Sequence, residues 1–331
     1  MTSRFTRRQT LAGIAATTAL AAPSIRRARA ADPLTVRLDF APWGIHAAMH
    51  LAAAKGWYEE AGLAVDIQDG KGTLNTIQLV GAGRIDVGQV QLGPMAIARE
   101  NDLPVKSFAG FARKGDLAVL VDAGSGPSEP AELAGKKLAC FSASPWVPFI
   151  DPYFEKAGVA GQVDVSMVAP PAMVPTFVSE EADGFMSLAP FGLPLVADSR
   201  PAKALLAADL GIAFPSYGLI ATEDTIAEKG EALATLAQIQ VRAWEHIFSG
   251  NVEEAVEAIV ARRPDASFGP KILRGQIAAY EPFFTTEATE GMAYGLQAEA
   301  DWQDAIASMV EAGVISEGHQ PSEYYTNALL A

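Results

Sequence analysis

One cysteine, four histidines and few basic residues set the first limits on this 331-residue chain. Cys140 can form no internal disulfide, so the fold must rest on its core rather than on a cross-linked framework. It lies in the apolar run Lys137-Leu138-Ala139-Cys140-Phe141 and reads as a buried strand residue, not a nucleophile. Nucleotide signatures are missing too. Gly70-Lys71-Gly72-Thr73 begins like a dinucleotide loop, but Asn75 stands where the third glycine is required, and Gly135-Lys136 is followed by Lys137, so no P-loop is completed. No G-x-S-x-G elbow is present, and beyond residue 30 no apolar run is long enough to cross a bilayer. No cofactor is therefore expected. Of the 25 basic residues, six fall before residue 31; the remaining 19 face 39 acidic residues, a net charge of −20. A chain so acidic repels phosphate backbones and anionic lipid, which argues against nucleic-acid binding and membrane insertion.

The first 30 residues are of a different kind. Arg4, Arg7, Arg8, Arg26, Arg27 and Arg29 flank an apolar run from Leu11 to Ala22, no acidic residue interrupts it, and Ala28-Arg29-Ala30 has the small-x-small form that signal peptidase cleaves. Thr6-Arg7-Arg8-Gln9-Thr10-Leu11 resembles a twin-arginine export signal. Residues 1–30 are thus expected to be a Tat-type signal peptide, and the mature protein to be periplasmic.

What remains is rich in apolar residues, 50% of the chain, enough for a large core; about 300 residues exceeds one core of ordinary size, so two lobes are expected. Short β-type runs alternate with helical patterns, the grammar of parallel α/β layers. Strands are predicted over 34–40, 64–68, 85–90, 105–111 and 117–121, with helices over 45–55, 93–101 and, capped by Thr73, 73–80. At Asp122-Ala123-Gly124-Ser125-Gly126-Pro127 the composition shifts, and twelve of the 21 prolines fall between Pro127 and Pro215. That proline-rich middle is expected to be an inserted lobe, residues 123–218, within a discontinuous one formed by 31–122 and 219–331. Two chain crossings would then make a hinge.

Three segments resemble the type II periplasmic binding proteins of nitrate, sulfonate, taurine and thiamine-precursor ABC importers. Leu38-Asp39-Phe40-Ala41-Pro42-Trp43 with His46 is similar to the opening motif of the pyrimidine-precursor branch. Ala54-Lys55-Gly56-Trp57-Tyr58 through Gly62-Leu63-Ala64-Val65, and Gly72-Thr73-Leu74-Asn75 through Gly83-Arg84-Ile85-Asp86, are similar to the two segments that follow it. Leu133-Ala134-Gly135-Lys136-Lys137 and Ala182-Asp183-Gly184-Phe185 with Pro190 resemble the second lobe. Trp43 stands where the pattern has asparagine, and Ala189 where many members carry glutamate. The resemblance implies a two-lobed α/β fold with two hinge crossovers, no catalytic residue, a small-molecule ligand in the interlobe cleft and an ABC permease as partner. A monomer is expected.

Ligands of open α/β sheets sit beyond the carboxyl ends of strands. On that rule and the resemblance, Asp39, Trp43, His46, Gly72, Thr73, Gln89 and Gln91 form the expected wall of one lobe. Ser142, Ser144, Trp146, Met186 and Ser187 form that of the other. Trp43 and Trp146 would stack on a flat ring, while Asp39, His46, Gln89 and Ser144 orient it. The expected ligand is a small neutral heteroaromatic, such as a thiamine-pyrimidine precursor or a flavin-like ring. A second reading is a receptor for a sulfonate or aromatic carboxylate held by Lys71, Arg113 and helix N-termini. A third is an exported enzyme. The family-fold pyrimidine-precursor synthase of yeast uses a cysteine-rich iron motif that a chain with one cysteine cannot build. His46 and His50 share a helix face, but no third metal ligand accompanies them, so no metal is expected.

Overall fold

A computed structural model describes residues 33–265 and 268–331; the expected export signal lies outside the described residues. Strand β1 (Leu34–Leu38) buries Leu34, Val36 and Leu38 and leaves Thr35 and Arg37 half-buried, the two-residue alternation of a strand with one face on a core. A 3-10 turn at Gly44–His46 leads into α1 (Ala47–Ala54) and α2 (Trp57–Glu60). Next come β2 (Val65–Gln68), α3 (Thr73–Gly81), β3 (Val87–Gln91), α4 (Leu92–Glu100) and β4 (Val105–Ala112). The chain then crosses to β5 (Leu117–Asp122), β6 (Lys137–Cys140), α5 (Ile150–Lys156), β7 (Asp164–Met167), α6 (Pro170–Val178), β8 (Gly184–Leu188), α7 (Ala189–Val196) and β9 (Ala202–Leu206). It returns as β10 (Tyr217–Thr222) and continues in helices α8 (Glu223–Glu228), α9 (Gly230–Phe248), α10 (Val252–Arg262), α11 (Pro270–Tyr280), α12 (Glu299–Glu311) and α13 (Pro321–Tyr324).

Two five-stranded sheets result, ordered β2-β1-β3-β10-β4 and β7-β6-β8-β5-β9. They are mixed rather than all parallel: β1 runs parallel to β2 and β3, but β10 lies antiparallel between β3 and β4. The second sheet repeats the pattern, with β5 antiparallel between β8 and β9. Each antiparallel strand is the one that enters its sheet directly from a crossing, so it arrives from the opposite end. Strand β5 corrects the expected boundary at residue 122, because it pairs in the second sheet; the sheets change over at residues 113–116 and again at 207–216. Alternate residues of β5 feed different cores: Leu117, Val119 and Val121 join the large cluster, while Ala118 and Leu120 join a smaller one with Phe177 and Phe185.

Local differences from the sequence reading have identifiable causes. Thr73 does not cap α3. Gly72 occupies the cap position at φ +124°, and the Thr73 hydroxyl turns to Asp39 instead. Helix α7 is absent from the sequence reading because Pro190 and Pro194 interrupt the helical pattern, and strand β9 because its half-buried residues show no two-residue alternation. Pro190 in fact sits in the first turn, where its missing N–H costs nothing. No described helix is long and apolar enough to cross a membrane.

Candidate ligand-binding site

A cavity of about 410 Å3 opens between the two sheets. Its walls are aromatic. Phe40, Trp43 and Phe268 come from the first-sheet side, and Phe141 and Phe191 from the second-sheet side. Pro170, Pro171, Met173 and Val174 at the start of α6 extend the apolar lining, and the hydroxyl side chains are Ser144 and Ser187. Among the described residues, no ionised side chain lines it.

Trp43 is central. Its backbone is extended and opens the 3-10 turn at Gly44, and its ring, 1% exposed, packs edge-on to Phe191 at 4.8 Å and Tyr217 at 5.8 Å, and tilted to Tyr280 at 5.5 Å. The residues expected to meet the ligand beside it lie beneath it instead. Asp39 accepts hydrogen bonds from His46 Nε2 at 2.9 Å, from the Thr73 hydroxyl at 3.2 Å and from the Tyr217 hydroxyl. His46 Nδ1 accepts the Trp43 backbone N–H at 3.3 Å, which assigns the ring proton to Nε2, facing Asp39. Both groups are buried, and their polar atoms are spent on fixing the Trp43 corner. Burial, reinforced by Asp39, holds the Tyr217 hydroxyl well above its ordinary pKa, so Tyr217 remains a donor. His50, one turn on from His46, has its pKa pushed down to about 3 by burial and stays neutral.

Gln89 and Gln91 likewise do not line the cavity. Gln89 donates to the Ile45 carbonyl at 2.8 Å and so holds the 3-10 turn. Gln91 donates to Asp116 Oδ1 at 2.9 Å and to the Ser216 hydroxyl at 3.0 Å, joining one residue of each crossing. On the second-sheet side, Ser144 and Ser187 line the cavity, Ser142 is exposed and outside it, and Met186 is buried in β8. Trp146 offers no stacking face: it is fully buried against Tyr153, and its Nε1 donates to the Ser187 carbonyl at 2.7 Å from behind the wall.

Gly72 marks where the two sides touch. A Cβ built there would stand 2.6 Å from Ala143 Cβ and 2.9 Å from its carbonyl oxygen, in a backbone conformation that only glycine adopts without strain. Gly72→Ala is expected to destabilise the protein by roughly 1–3 kcal/mol and to hold the two sides apart. Small-angle scattering checks the second effect; an unchanged radius of gyration would show that the contact does not limit closure.

Asp116 lies at the first crossing, fully buried, accepting from Gln91 and from the Tyr280 hydroxyl at 2.8 Å. Burial raises its pKa from 3.8 to about 6. Since the folded state then holds its proton more tightly than the unfolded chain, the carboxyl lowers stability as pH rises from about 4 to about 6 and by a constant amount above that, on the order of 2–3 kcal/mol. Asp116→Asn is expected to unfold at higher denaturant than wild type at pH 7 and with no advantage at pH 3.5. Urea titrations across that range check it. The comparison with wild type removes the opposing contribution of His50, whose depressed pKa costs stability as pH falls from 6.5.

The residues that sequence reasoning missed are Phe40, Phe141, Phe191 and Phe268 in the wall and Tyr217 and Tyr280 behind it. Phe191 alone carried a signal, since Ala189-Pro190 after a strand marks a helix start and puts the next residue in its first turn. Lys71 is exposed and Arg113 is buried elsewhere, where its Nη2 donates to the Ala293 carbonyl and burial pushes its pKa down to about 10. Neither lines the cavity.

Residues 43–255 match the family model described as NMT1/THI5 like. The chain belongs to that family. Among its relatives, the formylaminopyrimidine-binding protein of Halalkalibacterium halodurans is 24% identical over 293 residues, 84% of each chain. A 4-amino-5-hydroxymethyl-2-methylpyrimidine phosphate synthase of Saccharomyces cerevisiae is 31% identical over 108 residues, only 32% of each chain. The crystal structure of the periplasmic aliphatic sulphonate binding protein from Escherichia coli superposes on this member of the NMT1/THI5-like family with a TM-score of 0.65 at 14% identity, covering 88% of this chain and 92% of that one. The fold is thus the two-lobed type II periplasmic binding protein fold, with one sheet in each lobe and the cavity between them.

Proposed function

We propose that the protein is the periplasmic solute receptor of an ABC importer, which closes its lobes about the two crossings over a small, uncharged heteroaromatic compound of the pyrimidine type and presents it to the permease. One observation carries the ligand class: among the described residues, five aromatic rings from both lobes line a cavity with two hydroxyls and no ionised group. Such a lining favours flat apolar area and supplies few hydrogen bonds for orientation. The formylaminopyrimidine-binding relative, matched over most of both chains, supports the same class. Lys71 and Arg113, the side chains expected to hold an anion, both lie outside the cavity, which weighs against the anion reading. The yeast synthase shares only a third of the chain and leaves the enzyme reading with little support.

The reading is tested by calorimetry of the purified protein with formylaminopyrimidine, taurine and an alkanesulfonate. Reversible binding of the pyrimidine, recovered unchanged, with no heat from the sulfonates is the expected result. Tight sulfonate binding that is lost in Lys71→Ala or Arg113→Ala would replace it with the anion reading, and chemical conversion of the bound pyrimidine would replace it with the enzyme reading.

A further inference from the structure

Gln276 on α11 is fully buried, yet both ends of its amide are used by backbone groups on opposite sides of the cavity. Its Oε1 accepts the Gly44 N–H at 3.1 Å, and its Nε2 donates to the Phe191 carbonyl at 3.2 Å. Gly44 is the residue after Trp43, and Phe191 carries the ring that packs on Trp43 at 4.8 Å. One side chain therefore fixes the backbone beneath both aromatic walls.

The packing around it leaves little slack. A Cβ at Gly44 would stand 2.5 Å from Gln276 Cβ and 2.8 Å from its backbone, so α11 lies directly on the turn that follows Trp43. One residue before Gln276, a Cβ at Gly275 would be 3.0 Å from Pro194 of α7. Helix α11 packs on α7 of the second lobe and, on its other side, on α10 and the Gly44 turn of the first; it follows α10 directly in the chain, which ties it to the first lobe. When the lobes part, the bond to Gly44 travels with α11 and the bond to Phe191 is the one that breaks. The amide then exchanges the Phe191 carbonyl for water, so closure gains only the small net difference between the two hydrogen bonds.

We propose that Gln276 is a positioning residue that sets the gap between Trp43 and Phe191 and couples it to lobe closure, and so decides what thickness of ring the cleft accepts. The proposal rests on the reading of the cavity as the ligand cleft. Gly44 lies within the opening corner and Gln276 in no sequence motif; the chain brings them together across 232 positions.

Two substitutions separate the halves of the amide. Gln276→Glu keeps an acceptor for the Gly44 N–H but turns an oxygen toward the Phe191 carbonyl, whereas Gln276→Met keeps the volume and removes both bonds. In ligand-free protein, Gln276→Glu should retain slow amide exchange at Gly44 and show a larger radius of gyration by small-angle scattering. Gln276→Met should lose both the protection and the closed dimensions. With formylaminopyrimidine as probe at a pH high enough to ionise the new carboxyl, Gln276→Glu is expected to weaken binding by roughly tenfold or more and also to lower the melting temperature, since a carboxylate replaces a buried amide. Unchanged scattering and unchanged affinity in the Glu variant would overturn the proposal. So would a fall in melting temperature alone, since a merely structural amide gives that result. Scattering and exchange need no ligand, so a failure of the pyrimidine to bind wild type sinks the functional reading while these two measurements still decide the role of Gln276.

Discussion

Trp43→Ala is expected to destabilise the protein by about 3–5 kcal/mol and to abolish measurable binding of the cleft ligand. The ring is 1% exposed and touches Phe191, Tyr217, Tyr280 and His46, so its removal leaves a void among four aromatic neighbours rather than a dent in the surface. The same ring is the first-lobe wall of the cavity. Trp43→Phe should recover part of the stability, because a smaller ring still meets Phe191, but not all of the affinity. Denaturant titration gives the first quantity and calorimetry the second. A loss below about 1 kcal/mol would show that the cleft repacks around the gap, and an unchanged affinity would remove Trp43 from the site.

Asp39→Ala should cost a comparable amount, roughly 3–5 kcal/mol, for a different reason. Three donors converge on this buried carboxylate, from His46, Thr73 and Tyr217, and alanine leaves all of them without an acceptor where water does not reach. Asp39→Asn is expected to cost far less, about 1 kcal/mol, because its carbonyl still receives His46 and the two hydroxyls can turn to accept from the new amide. The contrast between the two variants, read by thermal and urea unfolding, distinguishes a support under Trp43 from a direct ligand contact. A direct contact would show the opposite pattern, with Asn harming affinity and Ala leaving stability nearly intact.

Much of the architecture was legible because it is written in local terms. The alternation in β1, the glycine after α1 and the turn before β3 are readable from neighbouring residues, and the order of these segments carried the family likeness across both lobes. The cleft was legible only in part. Trp43, Ser144 and Ser187 do line it, but Asp39, His46 and Thr73 face one another, and Trp146 faces the core. Strand-end position predicts nearness to the cleft, whereas the direction of a side chain depends on partners that arrive from far along the chain. Tyr217 reaches Asp39 across 178 positions, and Tyr280 reaches Asp116 across 164. Single phenylalanines in loops, such as Phe141 and Phe268, have no periodicity or spacing to announce them.

The placement of β10 bears on the order in which the protein can assemble. That strand lies between β3 and β4, in the middle of the first sheet, yet it is made only after every strand of the second. As the chain leaves the ribosome, the second sheet can close by residue 206, while β3 and β4 remain without the partner that joins them until residue 222 emerges. The lobe that begins first is completed last, through a long-range antiparallel pairing of the kind that folds slowly. Until then it carries two unpaired edges, which is the interval in which the nascent chain most needs protection.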